Sequence, residues 1–180
     1  LPSMSSLEAA TFDVDSTGKM WVAYQSGGQI KVRHSDTPYT TCSAEVVLDS
    51  NVSGDDIASI VALPNGQIGV FWSNQDTDLF GFRIHVDGTD PNTWLADELP
   101  GDELAGGQNQ NLSDDHINMA VKADGTIYVA IKTSFNNQNY PRLMLFIRRT
   151  NGVWETYDID QDRAGTRPIL QLNSVDGRLL

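Results

Sequence analysis

The sequence predicts an all-β chain: a β-propeller array of four-stranded antiparallel blades, about three and a half of them, forming an incomplete ring. Three observations carry this. A short phrase recurs four times, as Thr17-Gly18-Lys19-Met20-Trp21-Val22, Asn65-Gly66-Gln67-Ile68-Gly69-Val70, Asp124-Gly125-Thr126-Ile127-Tyr128-Val129 and Asp176-Gly177-Arg178-Leu179-Leu180. Its glycines lie 48, 59 and 52 residues apart, a spacing of blade length. Around each phrase every second residue falls on one face, as in Ile57, Ser59, Val61, Leu63 and in Ile117, Met119, Val121. No segment combines a sustained 3.6-residue apolar period with capping residues, so helix is not expected.

The elements follow in order. Strands are expected at 8–15, 19–25, 29–34 and 44–49 in the first blade, and at 56–63, 67–73, 79–86 and 93–98 in the second. The third blade takes 116–123, 126–132, 142–149 and 152–158, and a partial fourth takes 167–180. The blades thus cover approximately 8–49, 56–98, 116–158 and 167–180 of one propeller segment spanning 1–180. Asn-Gly and Asp-Gly at the first turns favour two-residue hairpins, because Gly accepts positive φ without a Cβ clash. The second strand of each blade is the most uniformly apolar, as expected where both faces are packed. Three and a half blades do not close a ring of the usual four to eight. Missing blades or another chain are expected to complete it.

Composition narrows the partners. The 180 residues carry 12 Lys and Arg against 24 Asp and Glu, a formal net charge of −12. Such a surface repels phosphate backbones and anionic lipid, so neither nucleic acid nor membrane is expected as a partner. No apolar run reaches membrane-spanning length. Cys42 is the single cysteine, so no intrachain disulfide forms, and it reads as a small packing residue. The chain opens Leu1-Pro2, which suggests a processed product or a piece of something longer.

Chemistry is expected where the loops before the inner strands and the loops between second and third strands open on one face. These loops carry Asp55-Asp56, Asp114-Asp115-His116, Arg167, and the amide-rich run Thr133–Tyr140. Paired carboxylates raise one another's pKa, and can serve acid–base chemistry or hold a hard cation; they can equally accept backbone N–H bonds in an Asx turn. His116 beside Asp115 could act as a base near neutral pH, or serve as a hydrogen-bonded wall residue. Asp56, Asp115, His116, Lys132, Asn137, Tyr140 and Arg167 are the expected ligand-facing residues. Phe135 and Tyr140 are the aromatics left for stacking on a sugar, while Trp21 and Trp72 read as filling between blades.

No metal and no cofactor are expected. His34 and His85 lack zinc-ligand spacing. Asp158-Ile159-Asp160-Gln161-Asp162 has the alternating acids of a calcium loop, but Arg163 stands where its turn wants Gly; Ca²⁺ is the weaker reading there.

The stretch His85-Val86-Asp87-Gly88-Thr89-Asp90-Pro91-Asn92-Thr93-Trp94 resembles a stretched Asp-box, the hairpin motif of sialidase-like propellers. The runs Asp114–Asn118, Val129–Ser134 and Thr166–Ile169 resemble uncharacterised secreted bacterial propeller proteins. That resemblance implies a bacterial chain that is secreted or held at the cell surface, and no activity. The three converging arginines of a sialidase site are not expected, because Arg33, Arg83 and Arg148 fall in third strands. The expected function is a non-catalytic binding module for carbohydrate, since amides and carboxylates suit sugar hydroxyls. A glycoside hydrolase or polysaccharide lyase with its site at the funnel mouth is the second expectation, and a structural or protein-interaction propeller the third.

Overall fold

The computed structural model describes residues 9–102, 104, 111–135, 139–160, 165–173 and 175–180, and among these it holds eleven strands and no helix. The first sheet is β1 (Ala10–Val14), β2 (Met20–Gln25), β3 (Ile30–Ser35) and β4 (Val46–Asp49), in that order. The second is β5 (Ala58–Leu63), β6 (Gln67–Asn74) and β7 (Leu79–Val86). The third is β8 (Ile117–Val121), β9 (Ile127–Lys132), β10 (Leu143–Arg148) and β11 (Trp154–Asp160). Every pairing is antiparallel between chain neighbours, so each sheet is an up-and-down blade. The first strands line up, β1 against β5 and β5 against β8, and the array stays open.

The hairpin glycines do what their sequence position asks. Gly18, Gly66 and Gly125 adopt φ of 85°, 72° and 93°, which a Cβ would oppose. From those turns the alternation feeds two separate cores. Trp21, Ala23, Ile30 and Val32 of the first blade meet Ile60, Ile68, Val70 and Trp72 of the second. On the other side of the second blade, Phe71, Phe80 and Phe82 meet Val129, Ile131, Met144 and Phe146 of the third. β6 therefore feeds both cores by turns, and seven of its eight residues are buried. Trp21 and Trp72 fill the first interface as expected.

Side chains stitch one blade to the next. Thr11 accepts from the Ile60 N–H at 2.9 Å, and Asp13 from the Ala62 N–H at 2.7 Å, so the free edge of β5 is satisfied by β1 side chains. The same device ends the array: Asn118 of β8 accepts from the Leu170 N–H at 2.7 Å. Counted back from the turns, Leu170 stands where Ile60 stands and Asn118 where Thr11 stands. The last described residues form a minimal hairpin. Leu172 bridges Leu179, and Gln171 and Leu180 exchange backbone bonds of 3.0 and 2.9 Å.

The expected fourth strand at 93–98 is reduced to a bridge between Phe82 and Glu98. The cause is a count mismatch. Leu95 bonds to Ile84 and Glu98 to Phe82, so three steps on one side face two on the other and the ladder breaks. The bulge aims Glu98 at the third blade. Its carboxylate takes Arg148 through two bonds of 2.7 and 2.6 Å and the Trp154 indole N–H at 2.7 Å. The Arg148 guanidinium also lies 5.3 Å over the Phe82 ring.

Candidate functional site

The loops at the strand-leading ends of the second and third blades interlock. Asn74 N–H donates to the Ser113 hydroxyl at 3.0 Å, Ser113 N–H to the Asp78 carbonyl at 3.3 Å, and Ser134 N–H to the Asn111 carbonyl at 3.0 Å. This fixes the run Asp114-Asp115-His116 just before β8. The backbone bond from Lys132 N–H to the His116 carbonyl, 3.1 Å, sets the last residue of β9 beside it.

A charged cluster results. Lys132 Nζ donates to both oxygens of Asp114, at 2.8 and 2.7 Å, and the Ser134 hydroxyl adds a bond of 3.1 Å to Oδ2. His116 Nδ1 lies 3.0 Å from Asp114 Oδ1 and also contacts Asp115 Oδ1. Arg167 Nε donates to His116 Nε2 at 3.1 Å. That bond requires a lone pair on Nε2, so the neutral ring carries its proton on Nδ1 and donates it to the carboxylates. Asp114 is buried, while the side chains of Asp115 and His116 are only 22% and 20% exposed. A ligand would meet their edges and the more open Arg167.

The two carboxyls are driven apart. Burial pushes Asp114 up, but hydrogen bonds from Asp115, Lys132 and His116 outweigh it and hold its carboxyl well below the usual range. Burial, then the hydrogen bond and charge of Asp114, push Asp115 up to about 6. One proton is thus shared across the pair near pH 6. Asp115 keeps a proton in the folded chain that it loses in the unfolded one, so its contribution falls as pH rises from about 4 to about 6. Asp115→Asn is therefore expected to raise stability at pH 7.5 by about 1–2 kcal/mol, allowing for solvent at its exposed edge. The gain should vanish near pH 4, which urea titrations at the two pH values will read.

Asp114, Asp115 and His116 bring three candidate metal-ligand atoms within 4.8 Å of one another. The Lys132 ammonium already occupies both oxygens of Asp114, and His116 Nε2 is taken by Arg167. The arrangement suits a salt-bridged hydrogen-bonding surface better than a cation site.

The expected residues divide. Asp115, His116, Lys132 and Arg167 are brought together. Asp56 is a correction: it is 1% exposed and ties its own loop to the β6–β7 loop, accepting from Ser53 N–H at 2.7 Å and from Gln75 N–H and Nε2 at 3.2 Å. It faces no ligand, because its carboxylate is consumed by loop donors. Tyr140 is half-buried, with its ring stacked 4.9 Å from Phe135, and Phe135 itself is 4% exposed. Packing claims the two loop aromatics against each other, contrary to the expectation that they were left for a sugar. Asn137 lies outside the described residues. Asp114 and Ser134 were not singled out, although Asp114 is the hub of the cluster. The Asp-Asp-His run was the signal, and it did not show which acid turns inward.

Two other groups of polar side chains have their places. Asp15 is buried within its turn, bonded to Thr17 N–H, Thr17 hydroxyl, Lys19 N–H and the Trp21 indole, so it is a turn residue. Arg33, Arg83 and Arg148 sit on third strands; Arg33 and Arg83 pair with Glu45 and Asp97 at the edges of their own blades, and Arg148 pairs with Glu98 across the joint between the second and third blades.

No described protein family and no curated protein matches the chain. Among solved structures, the NanB sialidase from Streptococcus pneumoniae, in complex with 2-[(3-chlorobenzyl)ammonio]ethanesulfonate, matches with a TM-score of 0.60 at 14% identity. The match covers 89% of this chain and 26% of that one. The chain thus spans about a quarter of the sialidase's length. The likeness is one of fold: an all-β, propeller-like array of the sialidase kind.

Proposed function

We propose that this chain is a carbohydrate-binding propeller segment whose ligand engages Asp115 and Arg167, which His116 holds in place between them, over the buried Asp114–Lys132 pair. The observation that carries the reading is the chain of alternating acceptors and donors, from Asp115 through His116 to Arg167, at the edge of the strand-leading loops. A saccharide hydroxyl both gives and takes a hydrogen bond, and such a row offers both within one sugar ring's reach. The fold likeness to a sialidase supports a carbohydrate-related role. A secreted, bacterial, Asp-box-related protein belongs to the same reading, consistent with its acidic surface.

Binding is favoured over catalysis by the engaged state of His116. Its only acceptor nitrogen is occupied by Arg167, so it has no free lone pair with which to act as a base. One observation favours a hydrolase or lyase instead: Asp115, protonated up to about 6, could serve as an acid. Screening on an array of neutral and acidic glycans, followed by calorimetry of the hits, separates these. Arg167→Ala and Asp115→Ala are expected to weaken binding about tenfold each, the loss of a hydrogen bond to a charged group. Absence of any glycan binding would overturn the reading, and turnover lost in Asp115→Ala would replace it with the enzymatic one.

A further inference from the structure

Arg167 belongs to none of the eleven strands, yet the site depends on where it stands. It is exposed, and a long side chain in water gives up much rotamer freedom when it is held. Its Nε bond to His116 Nε2, 3.1 Å, forms only if the backbone already brings the guanidinium within reach of the imidazole. The question is what fixes that backbone.

Three residues further on, Leu170 donates its N–H to Asn118 Oδ1 at 2.7 Å. The Lys132 N–H bond to the His116 carbonyl carries the β8–β9 ladder back to His116, so the two-residue alternation puts His116 and Asn118 on one side of the strand. The following segment is thus pinned twice against β8, at Arg167 through its side chain and at Leu170 through its backbone. The link between the pins is stiff. Pro168 has a fixed φ, Arg167 before it is confined to extended backbone, and Ile169 is β-branched. A shift at Leu170 is therefore passed on to Arg167 and not absorbed on the way. The first joint uses the same device with another residue, since Thr11 in the matching slot accepts from the Ile60 N–H at 2.9 Å.

We propose that Asn118 is a positioning residue for this site: by taking the Leu170 N–H it sets the register of the Arg167-Pro168 segment against β8, and so the place of the Arg167 guanidinium beside His116. Its effect on a ligand rests on the reading of the cluster as a carbohydrate site, and is exerted through Arg167.

Asn118→Val and Asn118→Thr test this, because they differ by a methyl for a hydroxyl and only Thr can accept, as Thr11 does. The first readout needs no ligand. The Arg167 Nε–H gives its own signal in ¹H–¹⁵N spectra, identified by its absence from Arg167→Ala. In the parent and in Asn118→Thr it should exchange slowly with water; in Asn118→Val exchange should quicken about tenfold, the loss of one hydrogen bond. Gly177→Ala is the control. It strains the hairpin turn at φ 70° while its Cβ approaches no atom closer than Lys122 Cε at 4.0 Å, so the Arg167 signal should stay as in the parent. The second readout is calorimetry with the glycans bound on the array. Asn118→Val should weaken them about tenfold, as Arg167→Ala does, and by less than about twofold once Arg167 is already Ala. Asn118→Thr should stay within about twofold of the parent. An unchanged Nε–H in Asn118→Val, an equal loss in Asn118→Thr, or the same loss in Gly177→Ala would each overturn the positioning role. The expected Nε–H pattern in a chain that binds no glycan would uphold that role and remove only the sugar.

Discussion

Gly81→Ala is expected to destabilise the chain by about 3 kcal/mol, lowering Tm by about 6–12 °C. Gly81 lies in β7 directly across from Trp72 in β6, and a Cβ built on it would overlap the indole at Cε2, Cζ2 and Nε1. The indole cannot step aside. It is 2% exposed between two blades, and its N–H is tied to Asp49 at 3.1 Å. Moving the ring would break that bond and vacate the first core. Two comparisons isolate the cause. Gly54→Ala, where an added Cβ meets nothing within 4 Å, should change stability by no more than about 0.5 kcal/mol. Trp72→Leu is destabilising alone, but Gly81→Ala added to it should cost far less than in the parent, a coupling that urea denaturation of the four proteins measures. Equal costs in both backgrounds would show that the indole is not the obstacle.

Glu98→Ala is the second large effect, expected to cost about 3 kcal/mol. The loss is more than two ion-pair bonds. Arg148 has 13% of its side chain exposed, and the Trp154 indole N–H has Glu98 as its acceptor. Truncation leaves a largely desolvated guanidinium and an indole donor unmatched at one place. Glu98 is itself 27% exposed, which keeps the figure at the lower end for a broken buried pair. Glu98→Gln should cost less, about 1–2 kcal/mol, because the amide oxygen still accepts from one donor while the charge is gone. Thermal unfolding followed by tryptophan fluorescence distinguishes them. If both variants behave as the parent, the second and third blades are held by their apolar joint alone.

Both residues show how far a sequence reads. Each strand expected from alternation in the first and third blades is found, because side-chain period and Gly turns are local properties that tertiary contacts seldom override in a buried sheet. Glu98 looked like the end of an ordinary fourth strand. Its role arises from a one-residue surplus in 95–98, which local propensity does not register. The candidate site divides in the same way. The acids were legible as pairs before inner strands, yet Asp56 is the inward member of one pair and Asp114 of the other. The strand partner decides it: Lys132 stands where the second blade has Ser73, as the matching bonds to the His116 and Ile57 carbonyls show. An ammonium draws in the acid within its reach, whereas a hydroxyl there serves the Ile57 N–H at 3.0 Å and leaves Asp56 to the donors of Ser53 and Gln75.

The sequence by itself determined the all-β class, the blade period and the hairpin turns. These follow from backbone sterics and from a two-residue alternation that fixes the buried face. Only the tertiary structure decided which carboxylate of each pair turns inward, that His116 has its acceptor taken, and that Phe135 and Tyr140 spend their faces on each other. The first two depend on which donors arrive from strands and loops 16 to 51 residues away, and burial then makes each such pairing too costly to leave unmade.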